Sequence, residues 1–239
     1  MRTFSWTSES VEFMCRAEAR SSYSDMLAAH IVPYLSDTMT VYEPGCGIGG
    51  LTLALQPYVP SLTAADIDPL PLSVLQRRIA ERGLTNITVL EQDALQLSGN
   101  VSYDAAVFCF FGLPEEILAF ARKHVKKHVF IIKRAYKKHR FSVKDIPITG
   151  DSLETMQTLL TAQGIRFDAE LLSAEMGQPL RSAEEARRFF KLYGKDNETD
   201  TLTDEGLLRR LTKTDDPEFP YYLPGRKEVG LIHFSAEDL

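Results

Sequence analysis

Along this chain the apolar positions switch between two periods, and the switching outlines a fold. Val11, Met14, Cys15, Met26, Leu27, Ile31 and Leu35 recur at helical spacing, broken near Ser21 and Ser22. Two helices are therefore predicted over 10–35, the second ending near Pro33. Short apolar runs at 40–42, 61–65, 87–90, 103–111 and 128–133 then alternate with helical stretches at 49–56, 71–82 and 114–122. The run YDAAVFCFF is nearly continuous in apolar residues, as a parallel strand covered on both faces requires. Five such units predict a parallel, doubly wound sheet. Past Ala135 the pattern loosens into a helix at 152–163 ended by Gly164, a strand at 167–174, helices at 182–193 and 203–211, and a closing strand at 229–235. Ser182-Ala-Glu-Glu185 reads as a capping box, and Thr203 opens the last helix.

Composition narrows the class. A chain of 239 residues, 44% hydrophobic and 25% charged, suits one α/β domain spanning 1–239. Cys15, Cys46 and Cys109 are too widely spaced for a metal site or a disulfide framework, so no metal is expected and a reducing, cytoplasmic setting is the natural reading. The first residues lack the apolar core of a secretory signal, and no run reaches the roughly 18 apolar residues needed to span a bilayer. A net charge of −6 argues against a surface built throughout for nucleic acid.

The informative segment is VYEPGCGIGGLTLAL. A strand delivers Glu43; Gly45, Gly47, Gly49 and Gly50 then let the backbone turn tightly and approach a ligand, and the next helix offers unpaired N–H groups. By themselves these glycines also satisfy the dinucleotide fingerprint G-x-G-x-x-G. Glu43 would repel a pyrophosphate but attract ammonium and sulfonium charge. Asp66 ends the second strand, where a carboxylate accepts hydrogen bonds from ribose hydroxyls. Asp68, next to Pro69, suits a helix cap. Asp93-Ala94 ends the third strand, with an acceptor for an exocyclic amine and a backbone donor beside it.

With these three stations the chain resembles the class I S-adenosylmethionine (SAM)-dependent methyltransferases. The resemblance runs through Glu43-Pro-Gly-Cys-Gly-Ile-Gly49, Ala65-Asp66-Ile67-Asp68-Pro69, Gln92-Asp93-Ala94 and the segment 103–112. It implies a Rossmann-like seven-stranded sheet with an antiparallel last strand at 229–235. N-terminal helices (1–39) would form a lid over a cofactor-binding core (40–135), and a helical insertion (175–228) would cover the substrate. It also implies SAM as cofactor, with Glu43, Gly45, Cys46, Gly47 and Gly49 around its methionine end, Asp66 on the ribose, Ile67 against adenine and Asp93 with Ala94 reading adenine. Phe110 would flank the methyl group. Tyr23 or Arg20, with Trp6, would close the lid, one of the first two meeting the SAM carboxylate.

The acceptor is less legible. Phe108-Cys-Phe-Phe-Gly-Leu-Pro114 stands where amino-methylating relatives carry Asn/Asp-Pro-Pro-Tyr/Phe, and Cys109 lacks the context of a nucleophile. Tyr136, His139 and Tyr193 are candidate bases, none assigned, since a sulfonium-activated methyl group reacts largely through proximity. The segment 122–144 carries ten Lys and Arg residues and no acid between its ends, an RNA-facing strip on one reading and a solvated loop on another. Phe189, Phe190, Tyr193 and Phe219–Tyr222 suit a pocket wall or a contact with a second copy in a homodimer. The expectation is a methyltransferase acting on a small molecule. An RNA methyltransferase, a non-catalytic SAM-binding protein and a NAD-dependent dehydrogenase are the alternatives.

Overall fold

The computed structural model describes residues 5–142, 144–194 and 202–239. Two N-terminal helices, α1 (Ser8–Ala19) and α2 (Tyr23–Ile31), precede five parallel strands, of which all but the third are followed by a helix. These run β1 (Thr40–Pro44), α3 (Gly50–Leu55), β2 (Ser61–Asp66), α4 (Pro69–Arg82), β3 (Ile87–Glu91), β4 (Tyr103–Cys109), α5 (Pro114–His124), β5 (Val125–Arg134) and α6 (Leu153–Ala162). Then come β6 (Asp168–Glu175), β7 (Gln178–Leu180), α7 (Ala183–Tyr193), α8 (Asp204–Leu208), β8 (Thr212–Lys213), β9 (Tyr221–Leu223) and β10 (Arg226–Ser235).

Seven strands form one sheet in the order β3-β2-β1-β4-β5-β10-β6. β1 to β5 are parallel, and β10 lies antiparallel between β5 and β6, with Leu231 opposite Ile132 and Glu170. Alternation along each strand feeds two cores: Val41, Val107, Phe130, Val229 and Leu231 face one layer, Tyr42, Phe108, Ile131, Ile232 and Phe234 the other. The strand order reverses beside β1, so the carboxyl ends of β1, β2 and β4 open the crevice where such folds hold ligands.

Local chemistry sets the boundaries. Asp68 Oδ1 accepts from Leu70 N at 2.9 Å, and Gly83 ends α4 at φ 62°, so α4 starts two residues earlier than the sequence pattern indicates. The segment 175–228 departs from the expected all-helical insertion. β7, β9 and β8 form a second, three-stranded sheet, and the helix expected over 203–211 shortens to α8. Ser182 caps α7 through Glu185 N, but the Glu185 carboxylate turns to Arg181 N (2.6 Å) and Arg16 (2.8 Å), leaving the capping box half made.

At the amino end of β5 the fold holds a histidine pair. His128 Nδ1 and His233 Nε2 are 3.1 Å apart, with the Tyr34 ring 4.0 Å from His233. Burial and then the neighbouring His128 push His233 down to about 4, while Asp168 acts in the opposite sense. His128 is lowered too, by burial and Lys127 against Asp104. A histidine whose folded pKa lies below its ordinary value leaves stability intact above about pH 6.5 and removes it as the pH falls toward 4. His233→Phe, which keeps the stack on Phe130, should lessen this acid-side loss by on the order of 1 kcal/mol after solvent screening. Denaturant melts of both proteins between pH 7 and 4 check it; parallel profiles would exclude His233 as the cause.

Candidate active site

The site is built first from backbone. After β1, Gly45 N and Cys46 N both donate to Ala65 O (2.7 and 3.1 Å), drawing the loop across the end of β2. Gly45 has φ 70°, and a Cβ there would sit 2.2 Å from the Phe111 ring, so only glycine satisfies both the turn and the contact with the β4 loop. Cys46 is buried and its thiol is pushed far up by desolvation, which makes it a packing residue in this loop. Glu43 lies behind the loop, 2% exposed, accepting from Thr52 Oγ1 at 2.5 Å. Burial, reinforced by the Glu18 and Asp66 carboxylates, pushes Glu43 up to about 8 despite that hydrogen bond.

The next two strand ends carry Asp66 and Asp93. Asp66 Oδ2 accepts from Gly47 N (2.9 Å) and Oδ1 from Asp68 N (3.1 Å), so it ties the glycine loop to the β2 turn. Each oxygen keeps acceptor capacity for a further donor such as a hydroxyl. Ile67 beside it is 59% exposed, an apolar face on the rim between Asp66 and the β3 end. Asp93 is exposed and accepts from Leu95 N at 3.0 Å, while Ala94 is buried and its carbonyl accepts from Tyr42 Oη at 2.7 Å. These residues fit SAM better than a pyrophosphate dinucleotide. Three carboxylates end three adjacent strands, and an exposed aliphatic side chain lies beside the middle one.

Across the crevice lies the β4 end. Phe110 is 40% exposed with φ 54°, the one described non-glycine residue in the left-handed region. Its N–H donates to Ile132 O at 3.0 Å, which holds the strained turn. Cys109 is desolvated, its thiol pushed up to about 12, so it stays protonated at neutral pH. Between Phe110 and Tyr23 sits Lys227 of β10, its Nζ 4.5 Å and 4.0 Å from the two ring centroids. Lys227 and Thr52 escaped the sequence reading. Lys227 shares strand parity with the buried Val229 and Leu231, and Thr52 is the one polar side chain in the apolar run LTLAL. Both signals were available.

The N-terminal segment covers this crevice. A Cβ on Gly47 would meet the Trp6 ring at 3.2 Å, and Glu18, paired with Arg78 at 2.6 Å, lies against Gly50. Tyr23 is 5% exposed and reaches Lys227, whereas Arg20 pairs with Asp216 and stacks on Phe219, directed into the insertion. Phe13 packs edge-on against Phe189 (5.2 Å), joining α1 to α7. A cavity of about 70 Å³ lies there, walled by Met14, Ala17, Phe141, Phe189 and Tyr193, with Arg140 and Lys227 also reaching it. Of the candidate bases, Tyr193 is pushed up to about 12 by burial, and His139 Nδ1 bonds Ser142 Oγ at 2.8 Å.

The basic segment does not form a strip. Lys133 is 1% exposed and binds Gly112 O and Asp151, both at 2.7 Å. Lys127 pairs with Asp104 and Lys138 with Asp145, Arg122 bonds Gln163, and Arg134 and Arg140 hold backbone carbonyls. Among the described residues no cluster of His, Cys, Asp and Glu could hold a metal ion, and no helix is long and apolar enough to cross a membrane.

The strand order and the crevice at its switch point are those of a Rossmann-like fold. Residues 41–129 match the family model described as a methyltransferase domain. The chain is similar to the YcgJ protein of Bacillus subtilis (14% identity, TM-score 0.58, 89% of this chain and 97% of that one). It is also similar to a precorrin-6y C5,15-methyltransferase from Geobacter metallireducens (12%, TM-score 0.53, 87% and 88%). Among curated proteins, a probable ribosomal RNA small subunit methyltransferase A from Methanosphaera stadtmanae is 35% identical over 63 residues. That match spans 26% of this chain and 23% of the relative. The family-model match is confined to residues 41–129, and the likeness to the two solved structures is one of fold.

Glu43 makes the first testable consequence of this site. Its folded pKa near 8 exceeds the ordinary carboxylate value, so folding takes up a proton and stability is lost as pH rises from about 4.5 through 8. Glu43→Gln removes that proton linkage. Its stability relative to the parent should rise across this window by on the order of 1–3 kcal/mol in the ligand-free protein. Denaturant titrations at pH 5 and pH 8 measure it, and a pH-independent difference would refute the burial account.

Proposed function

We propose that this chain transfers the methyl group of SAM to a small-molecule acceptor. The observation that carries this reading is the row of carboxylates, Glu43, Asp66 and Asp93, ending three adjacent parallel strands around a glycine loop. In this reading Gly45, Cys46, Gly47 and Gly49 let the backbone approach the methionine end, and its ammonium group draws Glu43, held protonated by burial in the free protein, into its charged form. Asp66 accepts from the ribose hydroxyls, Ile67 packs on adenine, and Asp93 with Ala94 N–H reads the adenine edge. SAM supplies a methyl group already activated by its sulfonium charge, and the chain's task is to orient the acceptor toward it and exclude water. Tyr23 and Phe110 are the rings placed to flank that methyl group.

A small acceptor is favoured by the narrow, half-open pocket between α1 and the insertion, whose walls are largely apolar. The RNA reading loses its main support because six of the ten basic side chains of 122–144 are engaged within the fold. We infer that the segments 1–39 and 175–228 together form the acceptor cover of a single domain that works without a metal.

Calorimetric titration with SAM, S-adenosylhomocysteine and NAD tests the cofactor assignment. The first two should bind and NAD should not; binding of NAD alone would overturn it. Asp66→Ala should weaken S-adenosylhomocysteine at least tenfold, roughly 1.4 kcal/mol or more. Unchanged affinity would remove Asp66 from the ribose.

A further inference from the structure

We propose that Lys227, Arg140 and Tyr23 form an oxyanion-binding subsite, which selects an acceptor carrying a carboxylate or phosphate group beside the atom that is methylated. The proposal rests on the SAM reading above for its place in a reaction, and on the following geometry for its chemistry.

Three polar groups converge here with hydrogen-bonding capacity unused. The Lys227 ammonium has aromatic faces on two sides, Tyr23 at 4.0 Å and Phe110 at 4.5 Å, and its remaining polar contact is Met176 Sδ at 3.9 Å. Among the described residues no carboxylate pairs with it. Tyr23 is 5% exposed, and its buried hydroxyl has no oxygen or nitrogen partner, only the Cys109 thiol, a weak one, beside it. Arg140 spends Nη2 on Met176 O and Gly225 O, both at 2.9 Å, and its buried Nε has no acceptor. Lys227 and Arg140 line the same cavity.

The energetics of this arrangement point to an anion. Two cation–π contacts return only part of what removing an ammonium from water costs. Burial, with Arg140 nearby, accordingly lowers the Lys227 amine to about 8. Among the described residues no carboxylate pairs with the ammonium, and the Glu18 charge offsets the cost only from a distance. Glu175 is taken by Tyr222 Oη (2.8 Å) and Gly225 N (2.7 Å), and Glu18 by Arg78. A bound oxyanion would accept from the ammonium, from Arg140 Nε and from the Tyr23 hydroxyl at once, and so satisfy all three. The position beside Phe110 puts that anion on the acceptor side of the crevice, away from the carboxylates of the cofactor side.

The test is ligand-observed NMR on S-adenosylhomocysteine-loaded protein with four isosteric probes: butyrate, propylphosphonate, butylamine and butanol. Butyrate or propylphosphonate should bind saturably at least tenfold tighter than the other two, and their order assigns the anion as carboxylate or phosphate. Lys227→Met should lose that preference at least tenfold, with S-adenosylhomocysteine affinity unchanged and thermal stability equal or higher, because the buried charge is gone. Lys227→Gln gives the same readout should the first variant fold poorly. Equal binding of all four probes, an anion preference that survives both variants, or weakened S-adenosylhomocysteine binding in either variant would overturn the subsite. Should the parent protein bind no S-adenosylhomocysteine, the SAM reading fails separately, and the Lys227 dependence of anion binding is read on the unloaded protein.

Discussion

The arrangement depends on how closely the backbone after β1 approaches its neighbours. Gly45 meets the Phe111 ring, Gly49 meets Leu75 of α4, and Gly50 meets Glu18 of α1 at distances no Cβ would allow. These approaches let Gly45 N and Cys46 N reach Ala65 O and Gly47 N reach Asp66. One loop thus fixes the spacing between the ends of β1, β2 and β4 and the seat of the N-terminal helix. Glu43 is buried as a consequence, since the loop folds back over it and leaves Thr52 as its hydrogen-bond partner. A larger side chain in this loop would therefore disturb the charge of Glu43 as well as the loop's own path.

The N-terminal helix is held from two sides. Glu18 bonds Arg78 of α4, which also donates to Ile48 O, and Arg16 bonds the buried Glu185 of α7 while stacking on Phe219. The insertion's aromatic residues are thus spent within the chain. Phe189 packs on Phe13, Phe219 lies under three arginines, and Tyr222 Oη joins Glu175 to Gly177 N. Helix α1 therefore links the glycine loop mechanically to the walls of the cavity beside α7.

Much of the fold was readable because strands and helices of this chain keep their periods and their caps. The strand ends bearing Glu43, Asp66 and Asp93 were readable as well, because parallel topology leaves those positions at one edge. The insertion was not. β7, β8 and β9 are two or three residues long, too short for any period to register, and β9 exists through pairing with the nearby β8 and with β7 about 40 positions earlier. The run of basic residues misled for a related reason: charge density along a sequence says nothing of direction. Alternation along β5 turns Lys133 inward beside Ile131, while Lys127 crosses to Asp104. Lys227 was legible by parity with Val229 and Leu231 but had no motif to draw attention to it.

The crevice divides by sign of charge, and the division bears on the order of events. Asp66 and Asp93, with the protonated Glu43 behind the loop, line the side where a cationic sulfonium nucleoside would lie, and Lys227 with Arg140 occupies the other. With SAM bound alone, sulfonium and ammonium would face each other across a poorly solvated gap, an arrangement that low dielectric makes costly. An anionic acceptor between them converts that repulsion into two attractions, so each ligand would favour the other's binding. In this reading, transfer of the methyl group to the acceptor would leave a neutral thioether in place of the sulfonium, and so would weaken the hold on both products in the same step. The same sign pattern that favours assembly of the complex would in this way favour its release.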